Sequence, residues 1–125
     1  MIACSLRNAS AAAGYISRIG QDVTIICAGT EGRISKDDLY CAGVLVAHLL
    51  SPGAVGELTD GGRVAVEWYL ARQGRSHYVL SSSQHGQRLV ALGFGDDLRF
   101  CADDDASDVV PVLDGSRFVP LRGDC

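Results

Sequence analysis

Val23-Thr24-Ile25-Ile26-Cys27-Ala28-Gly29-Thr30-Glu31-Gly32-Arg33-Ile34-Ser35-Lys36-Asp37-Asp38 is the stretch on which the fold assignment turns. Val23 to Ala28 is a short, almost continuous apolar run, the pattern of a strand covered on both faces inside a parallel sheet. Gly29 to Ile34 then reads as a loop. Ser35 and Asp38 have the spacing of a capping box with Asp in place of Glu, and Leu39, Ala42, Gly43, Val46, Leu49 and Leu50 follow on one helical face. A strand–loop–helix unit is therefore expected here, with the helix closing at Ser51-Pro52-Gly53.

The preceding segment repeats that order. Ile2 looks like the end of a strand, Asn8 is placed to cap a helix, and Ala9, Ala12, Ala13, Ile16 and Ile19 make a narrow face of small and apolar residues that Gly20 terminates. Downstream, 54–62 reads as a glycine-rich loop. A third helix is expected over Arg63 to Arg72, with Val64, Trp68 and Ala71 on one side, and a fourth from Ser82 or Ser83 to near Gly93. Val109 to Leu113 and Arg117 to Leu121 flank an Asp114-Gly115 hairpin signal, and Pro111 and Pro120 place part of that hairpin at an edge. The expected class is α/β: a layered α/β/α sandwich with a mainly parallel sheet and a C-terminal hairpin, one domain over residues 1–125. Two parallel strands are too few for such a sheet, so the sandwich reads as incomplete.

Composition narrows the function classes. The 125 residues carry a net charge of −4 with scattered basic residues, which gives no electrostatic footprint for nucleic acid or an anionic membrane. The longest apolar runs, such as Gly43 to Leu50, are too short to span a bilayer, and the amino terminus lacks a signal-peptide pattern, so a cytoplasmic protein is expected. Five cysteines (Cys4, Cys27, Cys41, Cys101 and Cys125) contain no closely spaced pair of the kind that zinc or thiol redox chemistry uses. Reduced thiols are the expectation, with Cys27 and Cys101 buried in apolar stretches and no cysteine nucleophile. No P-loop, nucleophile elbow or zincin motif occurs.

Chemistry is expected where loops enter helix amino termini, because free N–H groups there attract anions. Arg7, Asn8 and Ser10 lie in one such loop, and Gly29, Thr30, Glu31, Arg33 and Ser35 in the other. Each set is also what ordinary helix caps look like. Asp38 can hold a Mg²⁺ ion or complete the capping box, and Asp96, Asp97, Asp103, Asp104, Asp105 and Asp108 form an acidic group that is either a set of hard oxygen ligands or a solvated loop. Its spacing does not match an EF-hand. His48 reads as structural or as a C-terminal dipole partner and His77 as part of a turn, whereas His85, in a polar stretch at a helix start, is suited to phosphate contact, acid/base work or a surface position.

Three blocks carry a family likeness. Ser5-Leu6-Arg7-Asn8-Ala9-Ser10-Ala11 is the first; Ile26 to Arg33, leading to Asp37-Asp38-Leu39 and Ala42-Gly43, is the second; Ser82 to Leu89, then Leu92 to Leu98 and Asp105 to Pro111, make the third. In order and spacing the chain resembles the carboxy-terminal half of the 2-phosphosulfolactate phosphatases, best at Asn8, Ser10, Gly29, Asp38, Gly43, Asp97, Asp105 and Pro111. The resemblance implies an α/β sandwich and Mg²⁺-dependent hydrolysis of (2R)-2-phospho-3-sulfolactate to (2R)-3-sulfolactate and phosphate, a coenzyme M biosynthesis-type reaction. Taken with the reading of the two loops and of His85, it makes Asp38, Asp97 and His85 the catalytic candidates, Asp38, Asp97 and Asp105 the metal candidates, and Arg7, Asn8, Ser10, Gly29, Thr30 and Arg33 the substrate-binding candidates. The family's upstream half, with its Asp-x-x-Arg-Ala-[ST]-[ST] type and Asn-Gly-Thr segments, has no counterpart in these residues. Turnover by the isolated chain is therefore not expected; a non-catalytic module that binds a partner or small anion is the alternative. Open strand edges make self-association, as a homodimer, the expected assembly.

Overall fold

A computed structural model describes residues 1–51 and 56–122. A 3-10 turn at Leu6–Asn8 runs into α1 (Ala9–Ile19); α2 (Lys36–Leu50), α3 (Asp60–Leu70), α4 (Ser76–Ser82), α5 (Gln84–Ala91) and α6 (Gly95–Cys101) follow, and β1 (Val109–Asp114) and β2 (Arg117–Arg122) close the order.

The parallel sheet is not formed. Residues 21–28 take neither helix nor strand, and Val23, Ile25 and Ile26 stay exposed, Ile26 to 81%. An apolar run becomes a strand only when neighbouring chains supply hydrogen-bond partners. None does so among the described residues. The sheet is instead two-stranded and antiparallel, so the mixed helix-and-strand class holds while the layered sandwich does not.

Helices do most of the packing. The middle element is α2, which buries Tyr40, Ala42, Gly43, Val44, Leu45, Val46 and Leu49, more of its circumference than the expected single stripe. Against one side lies α1, whose fully buried Ala9 and Ala12 let the backbones come close. Against another lies α3. A Cβ at Gly43 would collide with the Ala65 carbonyl oxygen and the Tyr69 Cβ, so only glycine permits this crossing. That contact turns Ala65 and Val66 inward and leaves Val64, expected on the packed side, 57% exposed. Thr59 caps α3 by accepting from the Gly62 N–H at 3.3 Å, which starts the helix at Asp60 rather than Arg63.

Other boundaries follow local chemistry. Gly20, at φ +63°, ends α1 as expected. Ser83 accepts from the Gly86 N–H at 2.9 Å and starts α5. Two short helices, α4 and α6, have too few turns to show a period; His77 falls in α4 and not in a turn. Cys27 and Cys101 are exposed, contrary to expectation, while Cys4 and Cys41 are the half-buried thiols. Pro52 and Gly53, expected to end α2, lie outside the described residues, as do 54 and 55 of the expected loop and Cys125.

Asn8 does more than the expected cap. Its side chain makes no cap hydrogen bond to α1 and is 6% exposed. Its Oδ1 accepts from the Ser5 N–H (2.8 Å) and the Ser5 hydroxyl (3.1 Å), and its Nδ2 donates to the carbonyls of Val109 (2.9 Å) and Ala3 (3.4 Å). The Ala3 contact has a reason. Met1–Ala3 runs antiparallel beside β1, with Ile2 opposite Val112, the Ala3 N–H on the Pro111 carbonyl (2.9 Å) and the Leu113 N–H on the Met1 carbonyl (2.9 Å). In that register the bond returning to the Ala3 carbonyl belongs to residue 111, and proline has no N–H to give. Asn8 supplies the missing donor. Ile2 thus does border a sheet, but by pairing antiparallel with the hairpin.

The cap of α1 comes from far along the chain. Asp105 Oδ1 accepts from the Ser10 N–H at 2.7 Å, Oδ2 lies 3.3 Å from His48 Nε2, and the loop is held further by the Asp105 N–H on the Leu6 carbonyl (2.9 Å) and the Ser107 N–H on the Arg7 carbonyl (2.7 Å). His48 is therefore a partner of this loop.

Two consequences are testable by urea denaturation. Asn8→Ala removes a buried amide and leaves the Ala3 carbonyl and the half-buried Val109 carbonyl without this donor, and is expected to destabilise the fold by roughly 1 to 3 kcal/mol. Asp105→Ala removes the cap of α1 and the His48 contact and puts alanine at a left-handed φ of +52°, so its loss should be about 1 to 2 kcal/mol.

Candidate functional site

Gly29 to Asp38 forms the better-built of the two loops. Thr30 and Arg33 exchange backbone hydrogen bonds of 3.0 Å in each direction, and Glu31 (φ +53°) and Gly32 (φ +73°) occupy the two central positions in the left-handed region. Such a turn needs positive φ at both positions and carries the peptide planes outward. Gly29 is itself at φ +72°, and a Cβ there would lie 2.6 Å from the Arg33 carbonyl oxygen. Glycine is required at that position on two counts, conformation and space.

Asp38 ties this turn to α2. Its Oδ2 accepts the Gly29 N–H at 2.6 Å, so the carboxylate does not complete a capping box. Ser35, buried at the helix start, turns its hydroxyl to Asp37 and accepts from Thr30 Oγ1 at 3.3 Å. The other Asp38 oxygen has no hydrogen-bond partner among the described residues, and the residue is half-buried. Arg33 and Lys36 are exposed beside it, and Arg88 of α5 reaches Glu31 at 3.4 Å. The result is a rigid turn with one open carboxylate oxygen, unpaired first-turn N–H groups of α2 and two solvated cations. Chemically it can hold an anion, and it can offer a single oxygen ligand to a cation or a proton.

The Leu6–Ser10 loop is differently employed. Arg7 places its guanidinium 3.8 Å over the Phe100 ring and donates through Nη1 to the Phe100 carbonyl (2.7 Å) and Asp103 (3.2 Å), which fastens the end of α6. Asn8 is consumed by the stitching described above. The Ser10 N–H, the position where an external anion was expected, already holds the Asp105 carboxylate. A shallow depression beside it is lined by Ser10, Ala11, Asp105, Ala106, Ser107 and Asp108, an acidic rim that repels anions.

The acidic candidates do not converge. Asp38 serves Gly29, Asp105 serves Ser10 and His48, and Asp97 is exposed in the first turn of α6. Among the described residues no three His, Cys, Asp or Glu side chains form a metal-binding group. The three-carboxylate Mg²⁺ set is thus not assembled by these residues. His85 is exposed as the second residue of α5, one turn before Arg88.

Some participants were invisible in sequence. Tyr40, fully buried between the edges of Trp68 and Tyr69, shares a 3.3 Å contact with Ser76 and donates to the Arg72 carbonyl at 3.2 Å; Ser76 in turn donates to Asp104 at 2.7 Å. These residues lie 28 to 36 positions apart, so no local pattern joins them. Part of the acidic tract is in this way bound to the helical core. No helix among the described residues is long and apolar enough to cross a membrane.

Comparison with known proteins gives the chemistry a setting. The chain is 39% identical over 118 residues to a probable 2-phosphosulfolactate phosphatase of Symbiobacterium thermophilum, covering 94% of this chain and 51% of that protein. It is 34% identical to a probable 2-phosphosulfolactate phosphatase of Thermotoga petrophila (95% of this chain, 50% of that protein), and 34% identical to one of Deinococcus radiodurans (96% and 50%). The chain thus spans about half the length of the curated relatives it matches. The narrower expectation of a carboxy-terminal half is not borne out by these matches, which start at the amino-terminal part of this chain. Since the model of the 2-phosphosulpholactate phosphatase family matches residues 1–116, nearly the whole chain, this protein belongs to that family.

Proposed function

We propose that this chain forms part of a phosphoric monoester hydrolase acting on (2R)-2-phospho-3-sulfolactate, releasing (2R)-3-sulfolactate and phosphate, and that the reaction requires Mg²⁺. Family membership supports the reaction class. The observation within the chain that carries the reading is the Gly29–Asp38 turn, where a glycine-dependent backbone and a fixed carboxylate leave one oxygen open beside a helix amino terminus. In this proposal Arg33 and the first-turn N–H groups of α2 hold the anionic end of the substrate on the turn that Gly29 and Thr30 shape, while Asp38 fixes that turn and presents its free oxygen toward the phosphoryl group. Mg²⁺ commonly takes only one or two carboxylates and fills its remaining positions with water and substrate phosphate, so a lone Asp38 is compatible with the metal requirement. When bound, such an ion supplies neutralisation of phosphoryl charge. Asp97, Asp105 and His85 have no observation placing them at the same centre.

A second reading has its own support. Arg7 and the Ser10 N–H are occupied by intramolecular partners, which leaves one of the two expected anion loops unable to bind substrate as it stands. The 125 residues by themselves are then a folded module without turnover.

Phosphate release from 2-phosphosulfolactate, assayed with the family's full-length protein carrying these residues, should stop on addition of a chelator and return with Mg²⁺; undiminished release would exclude the metal requirement. In that protein Asp38→Asn is expected to lower kcat at least about tenfold while costing only about 1 kcal/mol of stability, since an amide oxygen still accepts the Gly29 N–H. A fall in stability with unchanged turnover of the folded fraction would reduce Asp38 to a scaffold residue.

A further inference from the structure

We propose that residues 21–28 are a docking strand that takes the half of the family's chain which the likeness to these residues leaves uncovered. Every residue from Gln21 to Ala28, between α1 and the Gly29 turn, is exposed, and none of them forms a backbone hydrogen bond among the described residues. Unpaired N–H and C=O groups in a row are what an incoming strand reads. Nothing in the backbone stands against pairing: no residue between Gly20 and Gly29 has a positive φ, and the run contains no proline. Val23 to Ala28 is also an ordinary length for a strand.

The side chains decide what kind of partner fits. Val23, Ile25 and Cys27 alternate with Thr24, Ile26 and Ala28, so neither face of an extended run carries a charge, and Ile26 is 81% exposed. A strand of this kind is stable only with a neighbour along its edge and helices over its faces. A second copy of this chain falls short of that, because it brings one such run per molecule. A symmetric pair closes one edge of each run and leaves the other edge open. The relatives named above carry more, since the match covers about half of each of them and leaves a unit about as large as this chain outside it. A polypeptide of that size has room for several strands and the helices that cover them. The occupant is that uncovered half, paired edge to edge with residues 23–28 and packed over both their faces.

The run ends where the candidate site begins. Gly29 follows Ala28 directly, and its N–H is held by Asp38 at 2.6 Å. Strands laid parallel to 23–28 bring the loops at their carboxyl ends next to the Gly29–Asp38 turn, the place where open α/β sheets bind ligands. The further groups that the described residues do not gather around Asp38 then come from the docked half. That consequence rests on the phosphatase reading above, whereas the docking itself does not.

The test is hydrogen exchange, read by mass spectrometry, on the intact 125-residue protein alone and on the tagged protein co-expressed with the uncovered half of the Symbiobacterium thermophilum relative. Alone, the amides of 23–28 should exchange at the rate of an unstructured peptide at every protein concentration. Co-expressed, the two polypeptides should purify as a one-to-one complex in which the same amides slow at least about a hundredfold. Ile26→Asp should abolish the complex and leave the circular dichroism and urea midpoint of the free chain unchanged, since the side chain is in water there; wild-type protection is decisive if this variant does not fold. Recovery of the tagged chain without the half, a complex in which 23–28 stay unprotected, or one that survives Ile26→Asp in a folded chain would overturn the proposal. Protection that grows with the concentration of the chain alone would assign the run to a second copy and overturn it too. Phosphate release enters none of these measurements, so the docking and the phosphatase reading fail separately.

Discussion

A single amide, that of Asn8, ties Ala3 and Ser5 of the amino-terminal segment to Val109 of β1, and completes a pairing that backbone hydrogen bonds alone leave short of one donor. Proline at position 111 deprives the antiparallel pairing of Met1–Ala3 with β1 of one donor, and the Asn8 Nδ2 group fills that place while also holding Val109. Its oxygen fixes Ser5, and so the angle at which the 3-10 turn feeds α1. With α1 set in that direction, the Ser10 N–H faces the 103–107 loop and Asp105 can cap it. Buried amides that satisfy both carbonyl and amino groups are costly to replace, because every partner left behind is desolvated. Asn8, Pro111 and Asp105 are thus one device.

The second constraint is the close crossing of α2 and α3 at Gly43, which lets Tyr40 wedge between Trp68 and Tyr69. Once α2 is held between α1 and α3, its amino terminus has a fixed position, and Asp38 can pin the Gly29 amide there. A turn held in this way suits the role proposed for it, since a donor or carboxylate that wanders by an ångström loses most of its effect on a transition state. The rest of the acidic tract is engaged elsewhere: Asp103 on Arg7, Asp104 on Ser76 and Asp105 on α1. Three adjacent carboxylates that look like a metal cluster in sequence are three separate fasteners.

Much of the helical skeleton was legible from residue spacing. Asn8 to Gly20 and Ser35 to Leu50 carried period, cap candidates and stop signals together, and Ser83 and Asp114-Gly115 announced α5 and the hairpin turn. What failed was long-range. Val23 to Ala28 has the composition of a buried strand, but strand formation depends on a neighbour that a local reading cannot supply. Asn8 and Ser35 both look like caps in sequence; the Asn8 side chain has a partner 101 residues away, and that of Ser35 engages Thr30 of its own loop and Asp37 in the first turn of α2. Likewise the hydrogen bond that joins Gly29 to Asp38 does not follow from a spacing that also fits a capping box.

The facing prolines of the hairpin have a bearing on how the sheet ends. Asp114 and Arg117 close a two-residue loop with Gly115 at φ +60°, so bonded pairs alternate outward from there and Pro111 opposite Pro120 falls on a non-bonded pair. On β2 the residues of such pairs aim their backbone groups away from β1, toward the outer edge. Phe118 offers a donor there and Pro120 does not, which breaks the regular row of N–H groups that an incoming strand would read. The hairpin is therefore a sheet with one accepting side, already taken by Met1–Ala3, and one side made a poor template by its own proline.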